Sequence, residues 1–233
     1  MITGSLARPD GKLWFDSLGS GADVLLLHAG GERRRVWHPV MSDLAGHGLR
    51  ATAYDQRGHG ESINDRTFPL PDYGDDTADM IAYLTKPVVV GASLGGFAAL
   101  SALADSAVEA RVAGLVLIDV FPDPDPERTI RFLAPLGMER SPLVTDILGR
   151  RDQLRAITKQ LSLPILAIRA GERTGVVDAD AARFRELAPH AQIVSVAGAG
   201  HLIAKEKPRE LAALLVQFTQ SREVLERRAA TPS

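Results

Sequence analysis

The stretch P-V-V-V-G-A-S-L-G-G, residues 87–96 of 233, decides how the rest of the chain is read. Three valines form a short β-branched run, the kind of segment that packs well on a pleated, buried surface. The run stops at Ser93 among small residues, and a helix-compatible segment, Phe97 to Ala104, follows. Gly91-Ala92-Ser93-Leu94-Gly95 is therefore a G-x-S-x-G motif set between a strand and a helix. That context makes a sharp turn which exposes a serine hydroxyl above a sheet. Ala92 and Gly95 leave room for strand and helix to approach. The plainer alternative is a serine that only caps a buried helix.

The pattern repeats on either side. Apolar runs at 24–28, 49–55, 87–91, 114–120, 164–170 and 192–197 are short and nearly continuous in hydrophobicity. Such runs suit strands covered on both faces. Helix-like segments alternate with them at Val36–Ala45, Tyr73–Leu84, Phe97–Ala104, Asp178–Ala188 and Pro208–Phe218. Alternation of this kind predicts right-handed crossovers and a mostly parallel sheet, with ligands bound beyond the carboxyl ends of the strands. One connection is long. Residues 121–162 open P-D-P-D-P after Phe121 and carry weakly amphipathic stretches around Ile130 and Gln153. They read as a small helical cap over the strand ends, against the alternative of one crossover helix with long loops. The polar end, 222–233, reads as a frayed helix or flexible tail. No repeat or low-complexity linker divides the chain, so 1–233 is expected to form one domain.

Composition narrows the function. A chain 45% hydrophobic and 24% charged reads as a soluble globular domain, and its net charge of −2 gives no basic excess for nucleic acid or an anionic membrane surface. The absence of cysteine excludes thiol catalysis, disulfides and thiolate metal sites. No secretory leader or membrane-length apolar run is visible, which makes a cytoplasmic location the expectation.

A serine hydroxyl needs a base to become a nucleophile. Of six histidines, His38, His47 and His190 lie in or beside helical segments and read as surface residues. His28 ends the first buried run and His59 sits in R-G-H-G. His201, in V-A-G-A-G-H-L-I, follows the last apolar run across a glycine-rich loop from which an imidazole can reach back over the sheet. His201 is the candidate base.

With these residues in place, the chain resembles an α/β-hydrolase over roughly residues 12–220. H-A-G-G (28–31) resembles the family's oxyanion loop and D-Q-R-G-H-G-E-S (55–62) its conserved-type turn. G-A-S-L-G-G resembles its nucleophile elbow, and A-G-A-G-H its histidine loop. The resemblance implies an eight-stranded, mostly parallel sheet, with K-L-W-F-D (12–16) in a short early strand. It also implies an oxyanion hole made by the backbone N–H groups of Leu94 and Gly30. Ala29 departs from the family's glycine and puts the path of that loop in question. His28 and the Arg57–His59 turn read as braces for these loops.

The third triad member departs further. The family's usual acid follows the strand before the last, where this chain has Thr174 and Gly175 in I-R-A-G-E-R-T-G-V-V-D-A-D. Two carboxylates keep the order serine, acid, histidine. Asp119 ends the run V-L-I-D-V, the place where some relatives, certain haloalkane dehalogenases among them, carry their acid. Asp178 precedes the next helix and resembles an N-cap, as does Asp180. Asp119 is favoured and Asp178 is the alternative, with a serine–histidine dyad as a third possibility.

The expected function is hydrolysis of a small or medium carboxylic ester, thioester or lactone through an acyl-enzyme, with no cofactor and no metal. Phe121, Phe132, Leu136 and Met138, together with Ile130, Leu133 and Leu143, would line a modest apolar substrate pocket. Two alternatives remain at this point. One is carbon–carbon bond hydrolysis or cofactor-free perhydrolysis on the same fold. The other is a non-catalytic ligand-binding relative. The expected partner is a small molecule rather than nucleic acid or membrane, and nothing in the sequence bears on oligomeric state.

Overall fold

The computed structural model of the protein describes residues 1–63 and 67–230. Its eight strands are β1 (Ile2–Arg8), β2 (Gly11–Gly19), β3 (Ala22–Leu27), β4 (Leu49–Tyr54), β5 (Val88–Ala92), β6 (Gly114–Ile118), β7 (Ile165–Ala170) and β8 (Gln192–Val196). They form one sheet in the order β1-β2-β4-β3-β5-β6-β7-β8. Only the β1–β2 and β2–β4 pairings are antiparallel; from β4 to β8 every pairing is parallel. The expected strand K-L-W-F-D lies inside the longer β2. The strand before it, β1, pairs with β2 across a turn at Pro9 and Asp10. It carries no apolar run because a sheet edge needs only backbone pairing on one side.

Helices cover both faces. α1 (His38–Gly46), α2 (Leu70–Tyr83), α3 (Leu94–Ala102), α4 (Ser106–Glu109), α5 (Pro126–Leu133), α6 (Pro142–Gly149), α7 (Arg151–Gln160), α8 (Asp178–Leu187), α9 (Ile203–Glu206), α10 (Pro208–Thr219) and α11 (Arg222–Ala229) follow in chain order. Successive strand residues point to opposite faces, and the two cores follow from that rule. Leu25, Leu27, Val89, Leu115 and Leu117 pack beneath α2, α3, α7 and α8. Val24, Leu26, Val90, Val116 and Ile118 pack beneath α1 and α10. No helix among the described residues is long and apolar enough to cross a membrane.

Two segments sharpen the sequence expectation. Residues 222–229, read as a frayed helix or flexible tail, form the docked helix α11. Val224 is fully buried, Arg227 Nε donates to Val112 O (2.9 Å), and Arg228 Nη2 donates to Asp23 O (3.2 Å). A single apolar anchor and long polar side chains bonded to backbone oxygens hold it, which a hydrophobicity pattern does not register. Residues 231–233, also in the expected tail, lie outside the described residues. The segment 121–162 is divided. α7 buries Leu154, Ile157 and Thr158 and joins the core on one sheet face, so it is a crossover helix. α5 buries no residue and α6 only Ile147, so residues 126–149 are the part that lies over the strand ends.

Candidate active site

The elbow is built by steric necessity. Ser93 has φ 48° and ψ −111°, a conformation L-residues rarely adopt. A side chain at Gly91 would strike the backbone of Gly95, and one at Gly95 would strike the backbone of Leu27. Strand, serine and helix therefore fit together only with these glycines. Ser93 N–H donates to Ile118 O (3.1 Å), while Ser93 O accepts from Gly96 N (2.9 Å) and Phe97 N (3.3 Å). These bonds hold the strained residue between two strands and a helix. Helix α3 begins at Leu94 rather than at Phe97, so the Leu94 N–H is the first of the helix and has no intrahelical acceptor.

The loop after β3 is ordered by two histidines. Gln56 N–H donates to His28 Nε2 (3.0 Å), which leaves His28 Nδ1–H to donate to Ala29 O (2.8 Å). Burial pushes the His28 imidazole down to about 4, which keeps it neutral and fixes this tautomer. Glu32 N also donates to Ala29 O (3.1 Å). Because the peptide is trans, the Gly30 N–H points away from that doubly bonded carbonyl. Of the neighbouring amides, Gly31 donates to His59 Nε2 (3.0 Å). Burial raises the Glu32 carboxyl above its usual range, opposed by the Ala29 backbone and by Lys205 and His201 nearby. Gly30 thus keeps an uncommitted donor, and Leu94 flanks it. Ala29 needs no left-handed backbone, so the departure from glycine is accommodated.

The 55–62 turn braces this loop. Asp55 pairs with the Arg34 side chain and accepts from Arg34 N (2.7 Å) and Glu61 N (3.1 Å). Gln56 Nε2 holds His28 O (2.6 Å). Arg57 makes a bidentate pair with buried Asp76 (2.6 and 2.7 Å) beneath the Phe68 ring.

His201 and Asp119 meet across the remaining strand ends. His201 Nδ1 lies 2.7 Å from Asp119 Oδ2. An ionised carboxylate only accepts, so Nδ1 donates and the other ring nitrogen, Nε2, keeps its lone pair. Asp119 is 2% exposed and sits at φ 49°. Its Oδ1 accepts from Ala170 N (2.9 Å), and its Oδ2 accepts from Thr174 Oγ1 (2.5 Å) as well as from His201. Phe132 meets the His201 ring edge-on, with centroids 4.9 Å apart. Ser93, Asp119 and His201 line one cavity of about 650 Å³ together with Gly30 and Leu94. Among the described residues no hydrogen bond joins Ser93 Oγ to His201.

Asp178 is elsewhere. Its side chain is 98% exposed and pairs with Arg169 (2.8 Å). The residue that closes the start of α8 is Asp180, which accepts from Val177 N (2.8 Å) from three positions inside rather than from the cap itself. The expected substrate residues Phe121, Phe132, Leu136 and Met138 all line the cavity, with Phe121 stacked on Phe184 at 4.8 Å and Leu136 at the rim. Ile130 does not join them; it is 43% exposed and does not line the cavity. Phe97, Val120 and Glu32 line the cavity without having been singled out in the sequence. Thr174 gave one signal, a hydrogen-bonding residue at the place where the acid was sought. No group of three or more His, Cys, Asp or Glu among the described residues is placed to hold a metal ion.

Comparison with known proteins agrees with this architecture. Residues 24–214 match the alpha/beta hydrolase family. The chain is 33% identical over 122 residues to the putative carbamate hydrolase RutD of Variovorax paradoxus (strain S110), covering 51% of this chain and 45% of that protein. The chain thus spans about half the length of this curated relative. Two solved structures share the fold. E-2-(acetamidomethylene)succinate hydrolase superposes with a TM-score of 0.77 at 22% identity, over 94% of this chain and 99% of the other. The esterase EaEST from Exiguobacterium antarcticum superposes with a TM-score of 0.76 at 17% identity, over 94% and 100%.

Proposed function

Because the chain belongs to the α/β-hydrolase family, we propose that it is a serine hydrolase that cleaves a small or medium carboxylic ester, thioester or lactone through an acyl-enzyme. Ser93 Oγ attacks the substrate carbonyl as its proton passes to His201 Nε2. The imidazolium that forms is held by Asp119 at Nδ1. The carbonyl oxygen becomes an oxyanion between the Leu94 and Gly30 N–H groups, donors already in place before charge develops. His201 then gives its proton to the leaving oxygen or sulfur, and the acyl group stays on Ser93. Water then attacks the acyl carbon as its proton passes to His201; the bond to Ser93 Oγ breaks, His201 returns that proton to Oγ, and the acid leaves.

The observation that carries this reading is the 2.7 Å bond from His201 Nδ1 to Asp119, in the same cavity as a serine held at φ 48°. The apolar cap residues Leu133, Leu136, Met138, Leu143 and Val144 favour an apolar acyl group. A carbamate belongs among the test substrates because RutD, the relative at 33% identity, is named for one. The test is labelling by a fluorophosphonate probe at pH 7.5, followed by turnover of p-nitrophenyl esters of rising chain length, a lactone, a thioester and a carbamate. The wild type is expected to label at Ser93 and to turn over at least one of them, and Ser93→Ala to do neither. Labelling unaffected by Ser93→Ala removes this reading.

A further inference from the structure

Thr174 lies in the loop between β7 and α8, and its hydroxyl has one proton to give. Val176 N donates to Thr174 Oγ1 (2.9 Å), so that contact uses a lone pair. The short contact from Oγ1 to Asp119 Oδ2 (2.5 Å) therefore takes the Thr174 proton. Asp119 is gripped at both oxygens: Oδ1 by the Ala170 amide, Oδ2 by Thr174 and by His201. The same loop reaches the histidine as well, since His201 N donates to Arg173 O (3.3 Å). Asp119 and Arg173 both stand at positive φ. Strained residues hold their place only where surrounding bonds over-determine them.

We propose that Thr174 is a positioning residue that fixes the Asp119 carboxylate in the orientation presenting Oδ2 to His201 Nδ1, so that the β7–α8 loop aligns acid and base together. This rests on the Ser93–His201–Asp119 reading. Nothing in Thr174 touches the reacting atoms; it acts through Asp119. Loss of its hydroxyl leaves Ala170 as the only fixed donor on the carboxylate besides His201 itself, so Oδ2 and the imidazole it orients are held less firmly. The effect falls on the chemical step rather than on substrate binding.

The experiment compares wild type, Thr174→Val, Thr174→Ala, Thr174→Ser and Ser93→Ala on the best ester substrate. The Nδ1 proton of His201 is followed by proton NMR in each resting enzyme. Removing one hydrogen bond to a charged group is expected to lower kcat about 10- to 100-fold in Thr174→Val and Thr174→Ala. KM should stay within about twofold, the pattern of an interaction that matters in the transition state. Thr174→Ser, which keeps the donor, should recover most of the rate. The downfield Nδ1 signal should be sharp in wild type and Thr174→Ser, and broadened or lost in the valine and alanine variants. Wild-type kcat in Thr174→Val, a rise in KM alone, or a serine variant as slow as the valine overturns the proposal. Turnover persisting in Ser93→Ala instead defeats the underlying reading, and the NMR signal then still decides whether Thr174 holds the acid–base pair.

Discussion

Of the four non-glycine residues at left-handed backbone angles among the described residues, three (Ser93, Asp119 and Arg173) line the cavity, and the fourth, Lys86, does not. Such conformations cost about 1–3 kcal/mol each and collect where function requires a side chain in one place. At this scale the acid can be tested directly. Asp119→Asn keeps the shape but loses the charge and the acceptor that fix the Nδ1–H tautomer, so kcat should fall by about 10⁴. Asp178→Asn, which disturbs only an exposed pair with Arg169, should leave kcat unchanged. Full ester turnover by Asp119→Asn would exclude it as the acid. His28 makes a second residue-scale prediction. Burial lowers its value from 6.5 to about 4 in the folded chain. The unfolded chain therefore binds the extra proton first as pH falls from 6.5 to about 4, and stability declines across that window. The full contribution is about 3 kcal/mol, lost in its entirety only below pH 4. Urea midpoints at pH 7 and pH 4.5 should separate more in wild type than in His28→Gln. Equal separations would show that the His28 imidazole does not titrate in this way.

At the scale of elements, the site depends on which strand end supplies the acid. β6 and β7 run parallel with Ile118 opposite Ile168, so Asp119 and the loop after β7 face the same imidazole. Thr174 already touches the carboxylate oxygen that His201 uses. An aspartate at 174 should therefore reach His201 in place of Asp119. The double variant Asp119→Asn/Thr174→Asp is expected to regain about tenfold or more of the kcat lost in Asp119→Asn alone, as one correctly placed carboxylate orients the base. A double variant no faster than Asp119→Asn would show that the loop backbone cannot seat an acid. The same geometry explains what was legible in the sequence. β3, β5, β6 and β7 could be read to within a residue or two at most ends because strands buried on both faces are continuous apolar runs. Ser93 and His201 could be read because each ends or follows such a run among glycines. The choice between Asp119 and Asp178 stayed open because both lie in the order serine, acid, histidine, and only tertiary packing decides which one an imidazole loop faces. β1 was invisible and the docking of α11 was not foreseen for a related reason: one pairs by backbone at an edge, and the other buries a single valine. The Gly30 donor came from motif resemblance, whereas the Gly31 bond to His59 is a contact between two separate loops.

Across the whole molecule, the sheet and its helices form two apolar cores; of residues 126–149 only Ile147 is buried in one of them, and α5 adds polar contacts to the sheet side. Arg128 on α5 donates from Nε to Gly175 O (2.8 Å) and from Nη2 to Asp180 (2.6 Å). Arg183 pairs with the same Asp180 and with Asp123 (3.4 Å), and Asp146 on α6 accepts from Leu70 N (2.8 Å) at the start of α2. An element that buries no residue and is held by partly exposed ion pairs belongs to the low-stability end of a fold. Phe132, which packs on His201, and Leu133 are carried by that element, so its position shapes the cavity. Arg128→Met keeps the length and apolar stem of the side chain but removes the bonds to Gly175 in the β7–α8 loop and to Asp180 on α8. Loss of a partly exposed ion pair is worth up to about 1 kcal/mol, so KM for the preferred ester should rise by about fivefold with a smaller change in kcat. Amide exchange should accelerate over 126–141 and stay unchanged in β3, β5 and β6, because the cores beneath are untouched. Exchange that accelerates throughout the sheet, or a KM equal to wild type, would show that α5 is held by its apolar contacts with the cavity wall and that Arg128 is incidental to substrate binding.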